Sequence, residues 1–255
     1  DADNVVSFTE NEIYFLIPLD DEKRDAYLQT VAEAALDAVL SGEADPRALI
    51  DALGRAASER RLLVYSDHEN EERELAASSV GGVLPGGDAP FAGVATINGG
   101  GNKLDYYLEQ TLEYRLIGCT SDGGRRGEIT VTYTNTAPTD EELPLYIDAR
   151  SDLPLRPNGL PQSRQGQHFF FTQVYATPGA SLVSATQDGE PISVEQGRER
   201  GHTVLRTGVT LDPGATTTLI FEVAEPPTQG EIATFATPLV KAEIPSADTR
   251  KCGAE

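Results

Sequence analysis

Apolar residues recur along the first third of the chain at helical spacing. Val5, Val6, Phe8, Ile13 and Leu16 predict a helix over 3–16, with Asp3 or Asn4 as N-cap and Pro18 just past its end. Tyr27, Val31, Ala34, Ala35 and Ala38 follow the i, i+4, i+7 rule, so a second helix starts near Asp20 and is closed by Gly42 in the left-handed position after its last turn. Asp45-Pro46 reads as the N-cap and first residue of a third helix, with Leu49, Ile50, Leu53, Ala56 and Ala57 as its buried stripe and its end by Arg60 or Arg61. Leu62-Leu63-Val64-Tyr65 is a short apolar run fit for a buried strand, and Ser66 or Asp67 then caps an acidic helix reaching about Ser79, closed by Gly81-Gly82. The apolar stretch Phe91–Ile97, bracketed by the turn clusters Pro85–Asp88 and Asn98–Asn102, predicts a strand.

Beyond the glycines the period changes to two. Leu104, Tyr106, Leu108, Leu112, Tyr114 and Leu116 share one parity, and Asp105, Glu109, Thr111, Glu113 and Arg115 the other, which predicts one long half-buried strand. Ile129, Val131 and Tyr133 repeat the alternation, with Gly123-Gly124 as the hairpin turn between the two strands. Further strands are predicted at His168–Tyr175, Ser181–Thr186, Ile192–Glu195 after an Asp188-Gly189 turn, Thr203–Leu211, and Thr216–Val223 after Asp212-Pro213-Gly214. Residues 136–167, rich in Pro, Gly, Asn and Asp, read as a long surface connection, the kind of segment on which binding sites are built when there is one. The fold class is therefore α+β: a helical segment over 1–100 with one or two short strands, then an antiparallel immunoglobulin-like β-sandwich over 101–255. An alternative makes 1–100 the tail of an upstream α/β domain, whose sheet Leu62–Tyr65 and Phe91–Ile97 would complete.

Composition narrows the function classes. The formal net charge is −21, and within residues 1–75 there are 19 Asp plus Glu against 7 Lys plus Arg. DNA, RNA and anionic membrane surfaces repel such a chain, so nucleic acid is excluded as an expected partner. A length of 255 residues buries an independent core without help from a metal or cofactor, and none is expected. The chain has no Met, so it reads as a fragment or a processed chain whose signal or anchor lies upstream. Its two cysteines, Cys119 and Cys252, are expected to form a disulfide that ties the tail to the body, as suits an oxidising, extracytoplasmic location; two reduced thiols in a cytosolic protein are the alternative.

Ile97–Leu108 (Ile-Asn-Gly-Gly-Gly-Asn-Lys-Leu-Asp-Tyr-Tyr-Leu), the following strand ending at Cys119, and Thr134-Asn135-Thr136-Ala137-Pro138 together resemble the C-terminal half of the family called domain of unknown function 4012. Asn4-Val5-Val6, Asn11-Glu12-Ile13-Tyr14, Arg61–Ser66, Gly82–Pro85 and the late cysteine are similar to that family too, so the resemblance covers nearly the whole chain. It implies an actinobacterial-type envelope protein with an N-terminal membrane anchor, its bulk outside the cytoplasmic membrane and its activity unassigned.

Motifs for catalysis are missing: no G-x-S-x-G, H-E-x-x-H, P-loop, G-x-G-x-x-G or EF-hand loop occurs. His68, His168 and His202 lack the i, i+4 partner of a helical metal site and are expected in surface or structural roles. Five carboxylates within Asp67–Glu74 offer oxygen ligands for calcium, but they also suit the first turns of a solvated helix, which is the preferred reading. The candidate ligand contacts are Asn98, Asn102, Lys103, Tyr106 and Tyr107, where glycine-rich backbone, a cation and flat rings would serve sugar or phosphate recognition. The competing reading makes the glycines a turn, pairs Lys103 with an acid and buries one tyrosine. The expected function is a non-catalytic envelope domain that scaffolds or binds cell-surface glycan or another envelope protein. The alternative is an accessory part of an envelope-polymer assembly enzyme whose catalytic residues lie in an N-terminal half outside this chain.

Overall fold

The computed structural model describes residues 3–42, 45–84, 89–159, 162–248 and 250–252. They divide into two compact units, Asp1–Leu84 and Pro85–Glu255, so the boundary falls before the predicted strand at Phe91 rather than at 100/101. The reason is pairing: Phe91–Asn98 is a strand of the sandwich itself. The alternative in which this strand completes an upstream sheet is thereby corrected. The predicted turn Pro85–Asp88 lies outside the described residues.

The first unit is helical: α1 (Val5–Ser7), a π-helical turn (Phe8–Glu12), α2 (Ile13–Leu16), α3 (Asp21–Leu40), α4 (Pro46–Ser58) and α5 (Glu69–Ala76). The start signals of α3 and α4 act as read from sequence, whereas Asn4 makes no side-chain cap bond before α1 and α5 has His68, not Ser66 or Asp67, at its N-cap. Asp20 accepts the Lys23 amide at 2.9 Å, Asp45 accepts that of Arg47 at 3.0 Å, and Gly42 has φ +72°. The predicted stripes, however, are largely uncovered. Tyr27 is exposed on α3, Ile50 and Leu53 are exposed on α4, and only Ala57 of that set is fully buried. Helical period locates the apolar side of a helix; it does not supply a neighbour to cover it. What is buried instead is Ile13, Tyr14 and Arg24, the guanidinium lying 5.1 Å from the Tyr14 ring and donating to the Ile17 carbonyl. Among the described residues this unit has no strand, a correction for Leu62–Tyr65: Leu63, Val64 and Tyr65 are exposed, and the Val64 amide donates to the Val80 carbonyl within a loop.

Among the described residues of the second unit twelve strands form two sheets. They are β1 (Phe91–Asn98), β2 (Leu108–Cys119), β3 (Arg125–Asn135), β4 (His168–Pro178), β5 (Ser181–Gln187), β6 (Glu190–Pro191), β7 (Glu195–Glu199), β8 (His202–Leu211), β9 (Thr216–Glu225), β10 (Ala233–Ala236), β11 (Lys241–Ala242) and β12 (Ser246–Ala247). One sheet has the order β10-β1-β4-β8-β7; the other runs β11-β2-β3-β9-β5-β6, with β12 also on β2. The predicted β2–β3 hairpin is present, with Leu112 opposite Val131 and Tyr114 opposite Ile129. Asp188 and Gly189 both have positive φ, as a two-residue hairpin requires. Inner faces supply the core, with Val94, Phe170, Val174 and Leu205 from the first sheet meeting Leu112, Ile129, Leu219 and Phe221 from the second. Each such side chain contributes about 1.5–3 kcal/mol on burial.

Four expectations need correction here. Leu104–Tyr107 is a 3-10 turn, not the start of β2, so Leu104, Tyr107 and Leu108 are buried at spacings of three and one while Tyr106 is not. The run Ile192–Glu195 is no single strand. β6 ends in one sheet and β7 begins in the other, and Ile192 and Val194 pack on the core during the crossing. The sandwich is not wholly antiparallel, because β10 runs parallel to β1, and β11 and β12 run parallel to β2. Residues 136–167 are not merely surface: they include α6 (Leu145–Asp148), bury Ile147, Asp148, Arg150 and Ser163, and are tied down where Asn135 Nδ2 donates to the Gly166 and Leu211 carbonyls.

The tail follows the free edge of β2 residue by residue. Ser246 pairs with Glu113, the Asp248 amide donates to the Tyr114 carbonyl, and an Arg250 guanidinium nitrogen donates to that of Leu116. It ends in the expected Cys119–Cys252 disulfide, with Cα atoms 5.6 Å apart. An otherwise open sheet edge is thus covered by the chain's own end.

Polar groups also bridge the sheets. Tyr133 on β3 accepts the Thr172 hydroxyl at 2.8 Å and lies 2.9 Å from that of Thr96, which bonds Gln110. Burial pushes the Tyr133 phenol up to about 12, and burial followed by the Glu225 carboxylate raises that of Tyr114. Folded-state values above those of the unfolded chain mean that the native protein keeps protons the unfolded chain has lost. Stability is therefore full below about pH 10 and declines as pH rises from there toward about 12. Urea midpoints measured between pH 8 and 12 should fall across that window, and midpoints that stay level would contradict the buried phenols.

Candidate functional site

β1 ends in Asn98, and this side chain builds the glycine loop that follows. Its Oδ1 accepts from the amides of Gly100 (2.9 Å) and Gly101 (2.8 Å); its Nδ2 donates to the Asn102 carbonyl (3.0 Å) and Asp105 Oδ2 (3.1 Å). Two acceptor sites and two donors are all an amide has, so Asn98 is a scaffold residue of the loop. The other oxygen of Asp105 meets His168 Nε2 at 2.7 Å, tying the 3-10 turn to the start of β4, while His168 itself is fully buried. His202 is equally buried, its Nδ1 at 3.0 Å from the Ala176 carbonyl, and both histidines thus have the structural role expected of them. Among the described residues no group of three or more His, Cys, Asp or Glu is placed to hold a metal ion.

The loop is joined to the segment around α6. Gly100 O accepts both the amide (2.7 Å) and the hydroxyl (2.9 Å) of Ser151, and the Lys103 amide donates to the Ile147 carbonyl. Gly101 has φ +66°, and a Cβ there would lie 2.5 Å from Ser151 Oγ, so glycine is required for this close approach. Between the two segments opens a cleft of about 510 Å³, whose lining includes Asn102, Lys103, Leu145, Tyr146, Ser151 and Leu155. Leu145, Tyr146 and Leu155 are exposed at its surface. Asn102 Oδ1 accepts the Leu104 amide, while its Nδ2 is buried with no hydrogen-bond partner.

Arg150 also lines the cleft. It is 8% exposed, clamps Asp152 through two bonds (3.0 and 2.5 Å) and lies 4.8 Å from the Phe169 ring. The Arg150 hydrogen bonds hold the Asp152 carboxyl below its usual range. Burial raises that of Asp148, against the opposing Gly166 amide.

The candidate set from sequence is therefore divided. Asn102 and Lys103 line the cleft, and Asn98 holds its loop. Tyr106 and Tyr107 are not among the lining residues: they pack edge to face at 5.1 Å, with Lys241 Nζ 5.7 and 5.8 Å from their rings and donating to Thr136 Oγ1. The cation against the tyrosines comes from a tail segment without any sequence signal. Tyr146, Leu145, Ser151 and Leu155 were missed because their segment carries no periodicity; an aromatic residue amid Pro, Gly and Asp was the one available cue.

The described residues include no helix long and apolar enough to cross a membrane. No family model and no curated protein matches the chain. Among solved structures it is similar to the "putative nutrient binding protein" of Legionella pneumophila, at 9% identity and a TM-score of 0.28 over 53% of this chain and 43% of that one. It is also similar to a two-domain M1 zinc metallopeptidase bound to L-tryptophan (16% identity, TM-score 0.23, 49% of this chain and 21% of the other). The M1 zinc metallopeptidase of Deinococcus radiodurans gives 12% identity and a TM-score of 0.22, over 56% of this chain and 21% of that one. The chain thus spans less than half of each of these proteins, and similarity at this level brings neither substrate nor chemistry to it.

Proposed function

We propose that this chain is a non-catalytic, extracytoplasmic domain of the cell envelope that binds surface glycan, presented on an immunoglobulin-like sandwich and anchored to the membrane by a segment outside this chain. Its resemblance to the domain of unknown function 4012 family supports the location, as does the disulfide, a bond that persists in oxidising compartments. Of the two partner classes, glycan and another envelope protein, the cleft favours glycan. The carrying observation is its lining: an exposed tyrosine ring and leucines beside a carboxamide, an ammonium and a hydroxyl, in about 510 Å³. That volume matches sites for small ligands, whereas a stable protein contact needs on the order of 800 Å² from each partner. A sugar places its C–H face on Tyr146 and its hydroxyls toward Asn102, Lys103 and Ser151.

A glycan array probed with the wild-type chain and with Tyr146→Ala tests this reading. The wild type should bind a defined set of envelope-type glycans, and the variant should bind them about tenfold more weakly with unchanged circular dichroism. Binding to no glycan, or equal binding by the two proteins, refutes it.

A further inference from the structure

The outer face of the first sheet carries a second feature. On β4, Phe170, Thr172 and Val174 point into the sandwich, so Phe169, Phe171 and Gln173 lie on the opposite face. Register places Gly208 beside Phe171, and Gln173, Arg206 and Glu195 in the neighbouring row. Because Gly208 has no side chain, the two rings can settle over it, a Cβ there coming 3.2 Å from Phe169; they meet edge to face at 5.1 Å. Arg206 lies across Phe171 with its guanidinium carbon 3.9 Å from the ring centroid, as Arg150 lies over Phe169. The result is an Arg-Phe-Phe-Arg row. It leads from Arg150, which lines the cleft, to a groove of about 320 Å³ bounded by Phe171, Ser193, Glu195, Arg206, Thr207 and Gly208.

The two arginines differ in what they hold. Arg150 is bound bidentately by Asp152. Arg206 meets its nearest carboxylate, Glu195, at 3.9 Å, outside hydrogen-bond range, and Glu195 is 81% exposed. Arg206 Nε is buried without a hydrogen-bond partner. A guanidinium fixed by stacking has lost little further freedom to lose on binding, and its planar fork matches a carboxylate. Apart from Arg206, the groove offers the Ser193 hydroxyl and the Glu195 carboxylate, which suit sugar hydroxyls, while the Thr207 hydroxyl donates to the Ser193 carbonyl.

We infer that this groove seats a uronate residue, its carboxylate on Arg206 and its hydroxyls toward Ser193 and Glu195, so that the glycan recognised by this chain is acidic and runs from the cleft across the phenylalanine row. The inference rests on the glycan reading of the cleft. It makes the overall charge of −21 an opposing background, one that the local fork overcomes at short range.

The test is an NMR titration of the whole chain with D-glucuronate, D-glucose and N-acetylglycine, following the Gly208 amide, the Arg206 Nε–H and the amides of 102, 103 and 146. Glucuronate should move Gly208 and Arg206, with glucose and N-acetylglycine leaving both in place. Arg206→Gln should weaken the glucuronate response at least about tenfold, Arg206→Lys should restore only part of it, and Glu195→Gln should strengthen it. An equal response to N-acetylglycine overturns the sugar assignment, and no response to any carboxylate at Gly208 overturns the seat. Shifts at Gly208 without any at Tyr146 under any sugar leave the seat standing and remove the cleft reading; shifts at Tyr146 alone do the reverse.

Discussion

Replacing Cys119 and Cys252 together by alanine is expected to lower the unfolding free energy by about 4–5 kcal/mol, the chain-entropy estimate for a loop of more than a hundred residues. The bond links positions 133 apart, so it restricts just over half of the 255-residue unfolded chain. It also pins the segment that covers β2, where backbone bonds from Glu243 and Asp248 and the Arg250 side chain already follow the edge. Those bonds persist in the variant, but they then close at the expense of a free tail, and the amides of 241–248 should exchange faster. At about 2–4 °C per kcal/mol for a domain of this size, the melting temperature should drop by on the order of 10 °C. Chemical denaturation with and without reductant measures the effect directly, and a difference under about 1 kcal/mol would show that the tail is held by its strands alone.

The second large effect concerns the buried charge cluster at one end of the sandwich. Glu225 on β9 accepts from the Tyr114 hydroxyl at 2.6 Å and from the Thr177 hydroxyl, and sits 3.5 Å from Arg125 Nε. The Arg125 and Glu225 side chains are 4% and 0% exposed. Thr177 in turn accepts the Phe91 amide, so the cluster joins β1 and β4 of one sheet to β2, β3 and β9 of the other. Removing one partner strands the other charge away from water, and Arg125→Ala or Glu225→Ala should each cost about 3–5 kcal/mol. Arg125→Ala combined with Glu225→Ala removes both charges and should lose clearly less than the two single effects combined. A strictly additive cycle would mean that the pair is not coupled.

How far the sequence announced this structure can be followed element by element. β2, β3, β4, β8 and β9 were legible because one face of each is buried and the other is wet, which writes period two into the residues. α3 and α4 were legible at their starts, where Asp20 and Asp45 cap them, but the fate of their apolar stripes was not, since that depends on neighbours rather than on local spacing. β10, β11 and β12 have four, two and two residues, too few for any alternation to register, and their parallel pairing follows from where the tail must run. Leu104–Tyr107 reads as strand because Leu104, Tyr106 and Leu108 share a parity, yet Leu104, Tyr107 and Leu108 also fit a single helical turn, and packing selects that option.

The candidate site was only half legible for a related reason. Asn98, Asn102 and Lys103 stand out because glycines surround them. Their partners Tyr146 and Ser151 come from an irregular segment about fifty residues away, held against the loop by the bonds from Ser151 to Gly100. Arg206 and Phe171 lie within strands whose alternation was recognised, but nothing in a one-dimensional pattern says that the ring and the guanidinium stack or that Glu195 stops short of hydrogen-bond range.

The most direct measurement of the central claim is hydrogen exchange by mass spectrometry on the whole chain, with and without purified envelope polysaccharide in excess. Binding at the cleft predicts slower exchange in 99–104 and 144–153, and clearly less of that protection in Tyr146→Ala at the same polysaccharide concentration. Exchange that is unchanged throughout, or slowed only in segments away from the cleft, would contradict the account.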